Sequence, residues 1–199
     1  TLVELGSDAQ MTTRALITDM STPLGRTVGN ALEVREALEV LSSGGPTDVR
    51  ELTLALAREM LDLAGMPEVD PAAHLDNGSA LAVWRQMIEF QGGDPDAPLP
   101  VATHTHEVLA TETGTVLMLD AKQVADAAWL LGAGRTVLGE QIDATAGVEL
   151  VVKPGESIRS GDVVMRLHTS RPATVESAEV ALAGAYRVGS AADFVPRES

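Results

Sequence analysis

A chain of 199 residues, 45% of them apolar, is long enough to bury the core of one or two domains, and its formal charge of −15 opposes a nucleic-acid backbone or an anionic membrane surface as partner. The absence of cysteine excludes disulfides, thiolate zinc sites and a cysteine nucleophile, which fits a cytoplasmic protein. No apolar run is long enough to span a bilayer, and the opening TLVELGSDAQ has neither a basic n-region, a signal-like apolar stretch nor an initiator methionine, so a fragment is expected.

In chain order, Thr1 to Leu5 reads as the tail of a helix. ALITDM, Ala15 to Met20, is a short apolar run interrupted by Asp19 and has the look of a buried parallel strand, whose neighbours the rest of the chain does not obviously supply. From Asn30, Ala31, Val34, Leu38 and Leu41 recur at helical spacing while Glu33, Arg35, Glu36 and Glu39 form the polar face. Asn30 is the expected N-cap and Gly44-Gly45-Pro46 the stop. Thr47 and Asp48 announce a second helix through Leu52, Leu56, Met60 and Leu63, ending at Gly65. A third, Ser79 to Gln91, is expected to bury Leu81, Trp84 and Ile88 before Gly92-Gly93 closes it.

The stretch GGDPDAPLP, Gly92 to Pro100, has the composition of a linker, and a domain boundary is expected there. Beyond it the pattern turns to short β runs at Glu107–Ala110, Gly114–Leu119, Gly147–Lys153 and Asp162–Leu167, with helices at Ala121–Leu131 and Ala173–Ala185. That is an α+β signature with antiparallel strands; the tail AADFVPRES reads as a loose end.

Several constellations invite chemistry. His104-Thr105-His106 places two imidazoles on one strand face beside Glu107, a zinc pair in outline. No third spaced ligand accompanies it, and the surface start of a strand is the preferred reading; His74 and His168 stand isolated and read as structural. Gly132-Ala133-Gly134-Arg135 has the residues of a phosphate loop but follows a helix, whose C-terminus repels anions, so its glycines read as terminators. The turns around Gly114-Thr115-Val116, Lys153-Pro154-Gly155-Glu156 and Ser160-Gly161-Asp162 resemble those of biotinyl and lipoyl carrier modules. At the place of the carrier lysine, however, stands Thr169-Ser170-Arg171-Pro172, and arginine cannot form the required amide.

The stretch PLGRTVGNALEVREAL, Pro23 to Leu38, behind ALITDM resembles the loop and helix of the pyrimidine-nucleoside phosphorylases, including the thymidine phosphorylases. LDNGSALAVWRQMIEFQGGDP, LLGAGR, IDATAGVEL and GESIRSGDVVMRLH resemble later segments of that family in the same order. In the family the Pro23–Leu38 motif lies past the middle of a much longer chain, so the resemblance implies a C-terminal half. The implied fold class is α/β plus α+β: residues 1–95 completing the phosphorylase α/β domain, and residues 100–199 forming a hammerhead-like, barrel-sandwich-like antiparallel β domain.

The implied activity is cleavage of a pyrimidine nucleoside by inorganic phosphate to free base and sugar 1-phosphate, in an enzyme that is usually a homodimer. An AMP phosphorylase shares the architecture and is the alternative within the family; a non-catalytic carrier-like binding module is the alternative outside it. The family's phosphate loop and base-binding set precede the strand at which this chain begins, and neither Lys122 nor Lys153 stands in a matching context, so no catalytic or substrate-binding residue is assigned. One site does carry over by resemblance: a potassium ion held by main-chain oxygens at Leu24 and Thr27 and by the Glu36 carboxylate, hard oxygen donors suited to a hard cation. The competing reading of Glu36 is a solvated helix residue contacting its neighbours one turn away.

Overall fold

The computed structural model describes residues 1–135 and 137–196. Its first element, α1 (Leu2–Asp8), begins where a helix tail is expected. Thr1 accepts the Glu4 N–H and the Glu4 carboxylate reaches back to the Thr1 amine, a capping box that starts a helix. Residues 15–20 form no strand: Leu16 and Met20 are exposed and Ile17 fully so. The expectation of a buried parallel strand there is overturned, because a strand needs a partner backbone and every ladder among the described residues is antiparallel and made elsewhere.

Four helices follow. α2 (Asn30–Leu41) and α3 (Thr47–Leu63) lie where the apolar spacing predicts them, and α5 (Ser79–Phe90) is shorter by one residue. Between them α4 (Pro71–Asp76), which the apolar spacing misses in so short a segment, is capped by Asp70 and opened by Pro71. Leu81, Trp84 and Ile88 do form the inward stripe of α5, but they are only half-buried. Asn30 does not cap α2; Gly29 holds the cap position, and the Asn30 amide Nδ2 donates instead to the Ala133 and Asp143 carbonyls at 3.0 and 3.1 Å. A helix start packed against another segment lets a side chain satisfy that segment's carbonyls instead of its own first turn.

Among the described residues the strands form two antiparallel sheets. β1 (Thr27–Gly29), β4 (Gly147–Leu150), β6 (Val163–Thr169) and β2 (His104–Leu109) lie in the order β1-β4-β6-β2; β5 (Ser157–Ile158), β3 (Gly114–Leu119) and β7 (Tyr186–Gly189) in the order β5-β3-β7. β1 is too short for a period-2 pattern to reveal, yet it joins the loop before α2 to the sheet of the second half. Its last pair is Gly29 opposite Gly147, where a Cβ on either residue would approach a facing carbonyl oxygen to 2.5 Å, and Gly29 has φ +134° besides.

α6 (Ala121–Ala128), capped by Asp120, runs into a wide turn, Trp129–Ala133, that breaks at Gly132 with φ +113°. α7 (Val175–Ala181) follows a short 3-10 turn at Pro172–Thr174, and a similar turn, Ala191–Asp193, orders part of the tail expected to be loose.

The core lies between the two sheets and the α6–α7 pair. Val116, Leu119, Val124, Leu131, Val148, Met165 and Leu167 are wholly inaccessible there, whereas the helices of the first half bury only scattered residues such as Leu32, Val40, Leu54 and Leu75. No helix among the described residues is long and apolar enough to cross a membrane.

Candidate functional site

The turn Pro23–Arg26, which precedes β1, carries Leu24, the first of the expected cation ligands, and leads directly into the second, Thr27; three other segments hold it. Gly25 takes φ +68° and its N–H donates to Asp48 Oδ2 at 3.1 Å, from the first turn of α3. The Arg26 N–H donates to Glu36 Oε1 at 2.8 Å, from the second turn of α2. Arg26 then sends its guanidinium to the Val151 carbonyl and the Glu156 carboxylate, in the segment that follows β4. From the same segment Lys153 Nζ donates to the carbonyls of Pro23 at 2.7 Å and Gly25 at 2.6 Å and to Asp48 Oδ2 at 3.0 Å.

Two of the charges in this knot, Glu36 and Lys153, are largely withdrawn from water, whereas Arg26, Asp48 and Glu156 keep part of their side chains exposed. Glu36 is 8% exposed, which overturns its reading as a solvated helix residue. Burial pushes its carboxyl above the ordinary 4.5, and the Asp48 charge adds to the push; the Arg26 N–H, the Thr27 hydroxyl and the Lys153 charge pull partly back. Asp48 meets the same desolvation, but Lys153 and the amides of Gly25 and Val49 outweigh it and hold its carboxyl below 3.8.

The structure brings Thr27 and Glu36 together on one cleft of about 430 Å3, beside Arg35, Glu39, Glu149 and His168. The Thr27 hydroxyl is buried and meets no partner in hydrogen-bond geometry among the described residues, although it stands close enough to the Glu36 carboxyl to favour its ionised form. Leu24 lines a different cavity, of about 530 Å3, with Ile17, Asp48, Glu51 and Lys153. Sequence reasoning missed Lys153 and Asp48 as members of the knot. The scarcity of lysine, with Lys122 the only other one, was the available signal.

The remaining constellations have local partners. His106 Nε2 meets Glu179 Oε1 at 2.8 Å, His168 Nε2 meets Glu149 Oε2 at 3.1 Å, and Arg166 bridges Glu107 and Glu149 across the sheet. His74 Nδ1 lies 2.9 Å from Ser79 Oγ. Among the described residues no group of three or more His, Asp or Glu side chains converges on a common point that could hold a metal. Arg171, at the place of a carrier lysine, donates to the Gln141 carbonyl at 2.7 Å and packs over Gly132.

Residues 115–189 match the pyrimidine nucleoside phosphorylase C-terminal domain. Over 188 residues, 94% of the chain, it is 48% identical to the thymidine phosphorylase of Mycobacterium tuberculosis (strain CDC 1551 / Oshkosh), of which it covers 44%. It is 38% identical to the pyrimidine-nucleoside phosphorylase of Staphylococcus haemolyticus over 181 residues, 85% of the chain and 42% of that protein. The corresponding enzyme of Bacillus subtilis is 37% identical over the same span. The chain thus spans less than half the length of these curated relatives. Residues 115–189 therefore belong to the C-terminal domain family of the pyrimidine nucleoside phosphorylases, and over nearly all its length the chain is similar to thymidine and pyrimidine-nucleoside phosphorylases.

Proposed function

We propose that this chain supplies the C-terminal part of an enzyme that cleaves a pyrimidine nucleoside with inorganic phosphate, giving the free base and a pentose 1-phosphate. The observation that carries the reading is 48% identity to a thymidine phosphorylase sustained over 94% of the chain. Phosphate attacks the sugar C1 as the base leaves, and catalysis is positioning and charge stabilisation without a covalent intermediate. In this proposal residues 1–95 complete the phosphate-binding α/β domain and residues 100–199 are a hammerhead-like domain. The whole enzyme is a cytoplasmic homodimer.

The role of this chain is to brace the site. Its donors suit a potassium ion in kind: a buried carboxylate at Glu36, and the main-chain oxygens of Leu24 and Thr27. A raised carboxyl pKa and an unpartnered buried hydroxyl at Thr27 support the fit, since both mark a place where added positive charge is favourable. Bound there, the ion supplies charge neutralisation and ties the loop to the rest of the phosphate site.

Phosphate-dependent release of thymine from thymidine and uracil from uridine tests the reading, with the chain alone and after addition of the N-terminal half of a relative. No release alone and release on complementation is the expected result. Turnover by the chain alone would place the catalytic set among these residues and overturn the bracing role; silence on verified assembly of the two parts would overturn the phosphorylase reading.

A further inference from the structure

We infer that the Pro23–Gly25 turn is a monovalent-cation site whose occupant is built into the chain, the Lys153 ammonium, and that Lys153 is the positioning residue for the loop that carries Leu24 and Thr27. The inference rests on the geometry of the turn and not on the potassium reading. An ammonium offers three N–H donors and no acceptor. Here it meets three oxygens, the carbonyls of Pro23 and Gly25 at 2.7 and 2.6 Å and Asp48 Oδ2 at 3.0 Å, so its hydrogen-bonding capacity is filled by the protein. The side chain is 17% exposed, so water contributes little to that coordination.

The oxygens come from two places far apart in the chain, the turn before β1 and the first turn of α3, and Lys153 comes from a third, after β4. One side chain therefore fixes three segments. Two carbonyls and a carboxylate converging on one point are the donor set of a hard monovalent cation; without the ammonium they would face each other with only the Gly25 and Val49 N–H groups on the carboxylate to offset them. Arginine could not replace it, because a planar guanidinium fork does not present three donors to a point. A free alkylammonium ion could, if the lysine stem were removed.

The test uses the full chain and its Lys153→Ala and Asp48→Asn variants. Backbone amide exchange over residues 21–29 and the thermal midpoint are measured at equal ionic strength in tetramethylammonium, n-propylammonium and potassium chloride. In tetramethylammonium chloride, Lys153→Ala is expected to speed exchange of that segment about tenfold. Addition of n-propylammonium restores the slow exchange and the midpoint in Lys153→Ala, while the parent protein responds to the two organic cations alike. Restoration by potassium as well counts for a cation site.

Unchanged exchange in Lys153→Ala would overturn the proposal, as would n-propylammonium acting no better than tetramethylammonium. If Lys153→Ala does not fold, Asp48→Asn decides. Faster exchange confined to residues 21–29 and the segment around Lys153 supports the built-in cation, and exchange unchanged from the parent overturns it.

Discussion

Gly25 and Glu36 are packed so closely that a Cβ on Gly25 would stand 2.0 Å from Glu36 Oε2 and 2.9 Å from a Val49 methyl. The φ of +68° is a second obstacle to any side chain. Gly25→Ala is therefore expected to destabilise the protein by about 1–3 kcal/mol, with the Glu36 carboxylate displaced from the Arg26 N–H. Gly65 also has a positive φ, +73°, but open space around it. Thermal unfolding of Gly65→Ala gives the conformational part alone; equal losses at the two glycines would refute the close packing on Glu36.

Glu36 and Asp48 impose opposite pH dependences. Because burial raises the Glu36 carboxyl above 4.5 in the folded chain, the native state keeps a proton that the unfolded chain releases. Its contribution is fully present below 4.5 and lost as pH rises through the folded value. Asp48, held below 3.8, contributes above 3.8, and that contribution is lost as pH falls through its folded value. Glu36→Gln, a neutral isostere, is expected to flatten the loss of stability on the rising side and to leave the acid side in place. Thermal midpoints recorded from about pH 3 to about pH 7 compare the slopes, and a Gln variant with the parental slope above 4.5 would remove the buried-carboxylate account.

How much of this was legible depends on the range of the interaction. α2 and α3 follow from apolar spacing, and β3 from its run between turns, because local pattern decides those elements. ALITDM has strand composition and forms no strand, since pairing is a property of two segments. β1 shows the converse: Thr27–Gly29 would not be read as a strand, yet β4 pairs with it. In the same way Glu36 reads as one more exposed helical carboxylate until the Arg26 turn folds over it, and Lys153 becomes part of the turn only through contacts with residues more than a hundred positions away. The family resemblance pointed to Leu24, Thr27 and Glu36, but not to Lys153 and Asp48, which hold the turn on which Leu24 sits.

Asn30 is a case where the sequence offers a residue its usual local role and tertiary structure gives it another. Its amide spans the Ala133 and Asp143 carbonyls and so ties the start of α2 to the segment between α6 and β4. Asn30→Ala removes the donor from both and is expected to cost about 1–3 kcal/mol. Asn30→Asp, which would serve equally well as a helix cap, sets a carboxylate against two carbonyls and should cost more than Ala. An Asp variant as stable as the parent in chemical denaturation would restore the capping role.

Thr169 ends β6 with no exposed surface, and its hydroxyl donates to the Leu131 carbonyl at 2.8 Å while accepting the Arg171 N–H at 2.9 Å. The hydroxyl therefore joins the wide turn after α6 to the chain reversal before α7, the place where a carrier module would display its lysine. Thr169→Val keeps the shape but leaves the buried Leu131 carbonyl and the part-buried Arg171 N–H without that partner, at an expected cost of about 1–3 kcal/mol. Thr169→Ser keeps both bonds and loses one methyl group, costing about 1 kcal/mol. The order of the two variants carries the argument. If Val were the milder change in denaturant unfolding, packing would hold this reversal in place; if Ser is the milder, the hydroxyl does, and the segment is a fixed brace and not a presenting loop.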